Sequence, residues 1–223
     1  MKNKAVCIIS GGMDSALSAK MAQKSGFEVI GVHFNYLQRT QTRELQAFRD
    51  ITAALGIESI YEIDLPFFKT IGASALTDSS IAVPTSGIEP GVPVTYVPFR
   101  NGIFLSIAAS IAEKEGARAI YIGVVEEDSS GYPDCRASYI EDMQRAINSG
   151  TKVETNITIE MPLVKLSKME IVKEALKLQV PLELTWSCYQ NEEKACGVCD
   201  SCRLRLRGFE MCGQTDLIPY VQS

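Results

Sequence analysis

Short apolar runs alternate along the chain with longer segments whose apolar residues recur at helical spacing. Val6 to Ile9 is a compact apolar run that predicts a buried strand. It stops at Ser10-Gly11-Gly12, after which Leu17 and Met21 fall on one face of a helix. Glu28 to Phe34 predicts a second strand, Gln41 to Leu55 a helix with Leu45, Phe48, Ile51 and Leu55 inward, and Glu58 to Ile63 a third strand. This β-α-β-α-β order implies a parallel sheet with helices on both faces and right-handed crossovers. Arg118 to Val124 is a fourth strand, expected on the far side of the first, and Ile157 to Met161 a fifth. Helices are predicted from Arg100 to about Glu115, with Phe104, Ile107, Ala108 and Ile111 buried, from about Ser138 to Asn148, and from Lys168 to Leu178. Ser167 and Glu170 form a capping box before the last of these. The fold class is therefore α/β, a Rossmann-like doubly wound parallel sheet.

In such sheets ligands bind beyond the carboxyl ends of the strands, where the strand order reverses. Here that point lies between the Gly11-Gly12 loop and the segment after Gly123. Consecutive glycines let several backbone N–H groups converge on one concavity, and the following helix N-terminus, with Asp14 or Ser15 at the capping position, adds to an anion site. The loop matches neither GxxxxGK[ST] nor GxGxxG. Arg39, just past the second strand, faces either a phosphate or solvent. Arg100 and Asn101 sit in the first turn of a helix, where a cation is favoured only by a nearby anion, and the same reasoning lets Lys168 reach the phosphates. Ser74 to Pro98, broken by Pro84, Pro90 and Pro93, has the character of a functional lid. Glu126 to Arg136 gathers carboxylate, phenol and guanidinium groups. Asp128, Asp134 and Arg136 either grip the donor and acceptor edge of a heterocycle or belong to a solvated acidic loop. Cys135 beside Arg136 is either a low-pKa nucleophile or a packed thiol. His33, the sole histidine, lies within an apolar strand and reads as packed or bonded to backbone, which leaves Ser-His-Asp catalysis without support.

Composition narrows the function. A chain of 223 residues, 46% hydrophobic and 22% charged, buries one substantial core. A net charge of -5 argues against broad nucleic-acid binding and favours a small-molecule substrate. The N-terminal apolar run is too short for a signal peptide and Ile103 to Ala112 too short to span a bilayer, which predicts a soluble cytoplasmic protein. Of seven cysteines, Cys188, Cys196, Cys199 and Cys202 form a C-x7-C-x2-C-x2-C cluster. Four thiolates at this spacing suit a structural zinc with no open position, with an iron–sulfur cluster as the competing occupant. Cys7 and Cys212 read as packing or surface residues, while Arg203, Arg205 and Arg207 are placed to cover the thiolates or a neighbouring subunit. The expected organisation is an α/β domain over residues 1–183, with a metal-binding segment over 184–223 packed on it.

SGGMDS resembles the pyrophosphatase loop of enzymes that split ATP into AMP and pyrophosphate. With QR ending at Arg39, SALT at Ser74 to Thr77, VPFRN, GYPDCR, and WSCY followed by CGVCDSCRLRLRGF, nearly the whole chain resembles the 7-cyano-7-deazaguanine synthase family. The resemblance implies an adenine nucleotide alpha hydrolase-like fold and conversion of 7-carboxy-7-deazaguanine, ATP and ammonia to the nitrile, on the route to queuosine. It implies ATP binding by Ile9, Ser10, Gly11, Gly12, Met13, Asp14, Ser15, Ala16, Leu17 and Arg39. Asp14, Arg100 and Lys168 are the implied catalytic residues, and Asn101, Asp128, Tyr132, Asp134 and Arg136 the implied substrate contacts. It further implies Mg²⁺ with ATP, one structural Zn²⁺ per chain, a homodimer and no stable nucleic-acid partner. FNYLQRT departs from the commoner FDYGQRH at Asn35, Leu37 and Thr40, which bears on the local turn. A transfer RNA thiolase relaying sulfur through a cysteine, a homologue that stops at the amide or modifies a protein, and a non-enzymatic zinc scaffold are the alternative readings.

Overall fold

The computed structural model describes residues 3–87, 91–126 and 131–221. Five parallel strands form one sheet: β1 (Lys4–Ile8), β2 (Glu28–Asn35), β3 (Ser59–Asp64), β4 (Ala119–Ile122) and β5 (Thr158–Glu160). Their order is β3-β2-β1-β4-β5, so the chain reverses direction across the sheet between β1 and β4, as expected for a doubly wound fold. Ala5 pairs with Val29 on one side and Ala119 on the other, which puts β1 at the centre.

Both faces of the central strands are covered, hence their continuous apolar runs. Ala5, Cys7 and Ile9 point to one face, against α1 (Met13–Lys24), α2 (Gln41–Ala54), α6 (Lys168–Lys177) and α7 (Asp200–Met211). Val6 and Ile8 point to the other, against α4 (Arg100–Glu115) and α5 (Ala137–Gly150). A short helix, α3 (Phe68–Ile71), is followed up to α4 by described residues that form no regular secondary structure, with Leu76 and Val97 buried among them. Phe209, Cys188, Cys199 and Cys202 belong to the same core cluster as α1, so the C-terminal segment shares that core.

Local signals account for most boundaries. The Ser167–Glu170 capping box is present in full, and Gly116, with φ of 65°, ends α4 in the left-handed conformation. The fourth strand is shorter than its apolar run because pairing ends at Ile122, where Gly123 turns toward α1. His33 is buried, its Nδ1 2.9 Å from the Ile9 carbonyl, as expected of a packed strand residue.

The turn after β2 carries a measurable strain. Leu37 takes φ of 61° while 43% exposed, in the left-handed region that disfavours a branched side chain. Leu37→Gly is expected to raise stability by about 0.5–1 kcal/mol, moving the thermal midpoint up by about 2 °C. Thermal denaturation checks this, and a lowered midpoint would mean that the Leu37 side chain packs more than its exposure indicates.

Candidate active site

The loop between β1 and α1 is held by its own polar groups. Gly11 has φ of 93°, and a Cβ there would lie 2.6 Å from the Glu44 carbonyl oxygen, so only glycine fits. Its carbonyl accepts the Trp186 N–H at 2.8 Å. Gly12 differs, with an ordinary φ of -84° and no contact closer than 3.4 Å for an added Cβ. Its role is to bring the chain to the mouth of α1 without a side chain in the way. The helix starts at Met13 with Gly12 as N-cap and no side-chain cap, so neither Asp14 nor Ser15 is the cap. Ser15 is a pin instead. Its Oγ accepts the Ser10 N–H at 3.1 Å and donates to the Gly12 carbonyl at 2.9 Å. Without a side-chain cap, the first-turn N–H groups of α1 are available to an anion. Gly123 closes the crevice from the β4 side, where a Cβ would come within 2.9 Å of the Asp14 and Ser15 backbone.

Cations converge on this loop from two other elements. Lys168, at the start of α6, places Nζ 2.5 Å from Asp14 Oδ2, while Asp14 Oδ1 is buried with no hydrogen-bond partner among the described residues. Arg100, at the start of α4, donates from Nη1 to the Tyr36 hydroxyl at 3.0 Å and stacks over Tyr36 and Phe104 at 5.4 and 5.7 Å. Burial works against its charge, but the facing Tyr36, Tyr132, Asp134 and Cys135 hold its pKa above the ordinary value. The Tyr36 phenol is itself pushed up to about 12 by burial. Arg100 is a cation in this cleft at any working pH.

The GYPDCR segment positions α4. The buried Asp134 carboxylate accepts the Asn101 N–H at 2.9 Å, acting as an N-terminal anchor for the helix that carries Arg100. Asn101 Nδ2 lies 3.3 Å from Cys135 Sγ. Burial, reinforced by Asp134, pushes the Cys135 thiol up to about 12, so it is a packed neutral thiol rather than a nucleophile. The Tyr132 hydroxyl donates to Thr95 Oγ1 at 2.8 Å.

The cleft encloses about 260 Å³. Of the residues singled out from the sequence, Ile9, Ser10, Gly12, Met13, Asp14, Ser15, Arg39, Arg100, Asn101, Tyr132, Cys135 and Lys168 line it. Gly11, Ala16 and Leu17 are not among the lining residues, and the side chains of Ala16 and Leu17 are fully buried in the core. Asp134 is taken up by α4, and Arg136 is exposed outside the lining. Asp128 lies outside the described residues. Arg39 is a strut: its guanidinium donates to the carbonyls of Ala75 at 2.5 Å, Ile81 at 2.7 Å and Asp78 at 3.1 Å. It fastens the 75–81 segment to the rim of the cleft. Sequence reasoning passed over Tyr36, Glu44, Trp186 and Tyr189, which also line the cleft. Tyr36, Trp186 and Tyr189 fall in the FNYLQRT and WSCY segments compared with the family pattern, and Glu44 lies five residues past Arg39.

The four cysteines meet as a cluster, with one sulfur from each lying within 4.8 Å of every other. A tetrahedral site with metal–sulfur bonds of about 2.3 Å has sulfurs about 3.8 Å apart, and Cys196 and Cys202 are at 3.9 Å. The residues present therefore fit a four-coordinate metal. Arg205 does not cover the thiolates as its position suggests. It forms a buried bidentate pair with Asp216, at 2.6 and 2.8 Å.

The model of the family described as "Queuosine biosynthesis protein QueC" matches residues 4–213. A 7-cyano-7-deazaguanine synthase of Sulfurovum sp. (strain NBC37-1) is 71% identical over 220 residues, covering 99% of both chains. That of Aliarcobacter butzleri (strain RM4018) is 70% identical over 217 residues, covering 97% of this chain and 95% of the other. Among solved structures, the NMN synthetase of Francisella tularensis aligns with a TM-score of 0.52 at 17% identity, covering 96% of this chain and 79% of that one. A 4-thiouridine synthetase solved with RNA and bound ATP aligns with a TM-score of 0.52 at 20% identity, covering 95% and 50%. These two share the fold alone. The full-length match of motif, fold and sequence leads to one statement of kinship: this chain belongs to the QueC family of queuosine biosynthesis proteins.

Proposed function

We propose that the chain is an ATP-dependent C–N ligase that converts 7-carboxy-7-deazaguanine and ammonia to 7-cyano-7-deazaguanine. The observation that carries this reading is the uncapped first turn of α1, opening on a cleft that Lys168 and Arg100 enter from separate helices. A carboxylate resists ammonia because its oxygen is a poor leaving group. Attack of that oxygen on the α-phosphorus of ATP releases pyrophosphate, and ammonia then displaces AMP to give an amide. A second adenylation, on the amide oxygen, followed by loss of AMP and a proton, gives the nitrile. The protein positions the reactants and stabilises charge on phosphorus with loop N–H groups and the two cations. No nucleophilic side chain takes part, in keeping with the neutral Cys135, which also disfavours a sulfur-relay thiolase.

Mg²⁺ bound with ATP would neutralise phosphate charge, and Asp14, whose Oδ1 has no hydrogen-bond partner among the described residues, would hold it through water. Cys188, Cys196, Cys199 and Cys202 would hold one structural zinc, whose complete sulfur shell leaves it a purely cross-linking role. Because three of these thiols are buried in the core, Cys199→Ser is expected to abolish zinc binding and lower the thermal midpoint by about 6–12 °C. Metal analysis and thermal denaturation check both, and an iron signal in the purified protein would replace zinc with a cluster. On this reading the partners are small molecules rather than a stably bound nucleic acid, and the enzyme is a cytoplasmic homodimer. No helix among the described residues is long and apolar enough to cross a membrane.

Exchange of labelled pyrophosphate into ATP, driven by 7-carboxy-7-deazaguanine in the absence of ammonium, tests the adenylation. Substrate-dependent exchange is expected, whereas ADP and phosphate as products would overturn the reading. Accumulation of the amide alone would keep the adenylation and remove the second round.

A further inference from the structure

The mechanism above leaves two acids of the cleft wall unused, Asp200 in the first turn of α7 and Glu44. Glu44 lies in the first turn of α2, its Oε1 2.6 Å from Thr40 Oγ1 and its Oε2 accepting Gln38 Nε2 at 3.0 Å. Both neighbours are themselves fixed, since Gln38 Oε1 accepts the Tyr36 N–H at 2.9 Å and Thr40 Oγ1 lies 3.2 Å from the Cys188 carbonyl. Both are also neutral, and Glu44 forms no ion pair among the described residues. Burial raises its pKa, with Glu192 adding to the effect and Arg100 opposing it from beyond ion-pair distance. Two other acids of the region are engaged, Asp14 with Lys168 and Asp134 with the start of α4. A carboxylate held rigidly in a pocket for polyanionic ATP and an anionic substrate is repelled by both unless a cation visits it. Each of its oxygens keeps a further lone pair for such a cation.

We propose that Glu44 docks ammonium and takes a proton from it, delivering ammonia to the acyl adenylate. The proposal rests on the ligase reading. One N–H bond of ammonium breaks and its proton moves to the Glu44 carboxylate. The freed lone pair forms the C–N bond, the C–O bond to AMP breaks with its electron pair leaving on the AMP phosphate, and the added nitrogen loses a second proton to solvent. Thr40 and Gln38 are positioning residues that hold the carboxylate.

The test is Glu44→Gln, which keeps the shape and removes the base. Pyrophosphate exchange without ammonium is expected to stay within about twofold of wild type. Product formation with ammonium is expected to fall by about 10²–10⁴-fold, as for loss of a general base. Hydroxylamine, largely unprotonated at neutral pH, needs no base, so hydroxamate formation should remain within a few-fold of wild type. Unchanged turnover with ammonium, or equal losses with both nucleophiles, would overturn the proposal. So would lost exchange, which would place Glu44 in adenylation or folding, or a raised Mg²⁺ requirement for exchange, which would make the visiting cation the metal. Absence of exchange in the wild type would overturn the ligase reading itself and is visible before the variant is measured.

Discussion

Lys168→Met is expected to lower kcat by about 10²–10³-fold while changing KM for ATP by no more than a few-fold. The lysine is the first residue of α6, its helix start locked by the Ser167–Glu170 box and its side chain only 13% exposed, with Nζ at Asp14 beside the loop. A donor so preorganised acts on charge that develops as pyrophosphate departs, and removing one such group costs about 2.7–4 kcal/mol of transition-state stabilisation. Steady-state kinetics and single-turnover pyrophosphate release check the split. A raised KM with unchanged kcat would mean that Lys168 binds ground-state ATP and nothing more. Thermal denaturation of the variant separates this loss from the smaller one expected when Asp14 loses its partner.

Asp216→Asn is the second large effect, and it acts on stability. Asp216 accepts from Arg205 Nε at 2.6 Å, Arg205 Nη2 at 2.8 Å and the Tyr220 hydroxyl at 2.7 Å, with both charged side chains almost wholly buried. Arg205 also donates to Thr185 Oγ1 at 2.7 Å and to the Leu182 carbonyl at 3.1 Å, tying α7 to the segment that leads to Cys188. Neutralising the acid leaves a guanidinium buried without its counter-charge, which costs about 3–5 kcal/mol. For a chain of this size that lowers the thermal midpoint by about 6–20 °C. A change under about 3 °C would show that water reaches Arg205 and replaces the acid. Activity lost at low temperature should follow the folded fraction, since neither residue is assigned to the reaction.

Much of this fold is legible in the sequence because parallel strands buried on both faces appear as unbroken apolar runs. Val6 to Ile9 and Glu28 to Phe34 are such runs, and the capping box before α6 needs only four residues to be seen. The cysteine cluster is legible because thiolate spacing is itself the geometric requirement. What escaped depends on contacts between distant elements. Glu44 reads as an ordinary acid in a helix first turn until Gln38, Thr40 and the cleft are assembled around it. Arg39 reads as facing either a phosphate or solvent, and its bonds to the 75–81 carbonyls, which fasten that segment to the cleft rim, have no signature in the sequence. Asp134 and Arg136 lie two residues apart in an apparent recognition loop, yet the first anchors α4 and the second faces outward. The partner of Arg205 is eleven positions away, beyond the end of α7, where no periodicity leads to it.

On the proposed mechanism, each carboxylate oxygen of the substrate is removed as part of an AMP. Supplying 7-carboxy-7-deazaguanine labelled with ¹⁸O at both carboxylate oxygens, together with ATP, Mg²⁺ and ammonium, tests it by mass spectrometry of every product. Two AMP per nitrile are expected, each carrying one ¹⁸O, with no label in pyrophosphate. Label in inorganic phosphate or pyrophosphate, or AMP released unlabelled while product forms, would contradict it.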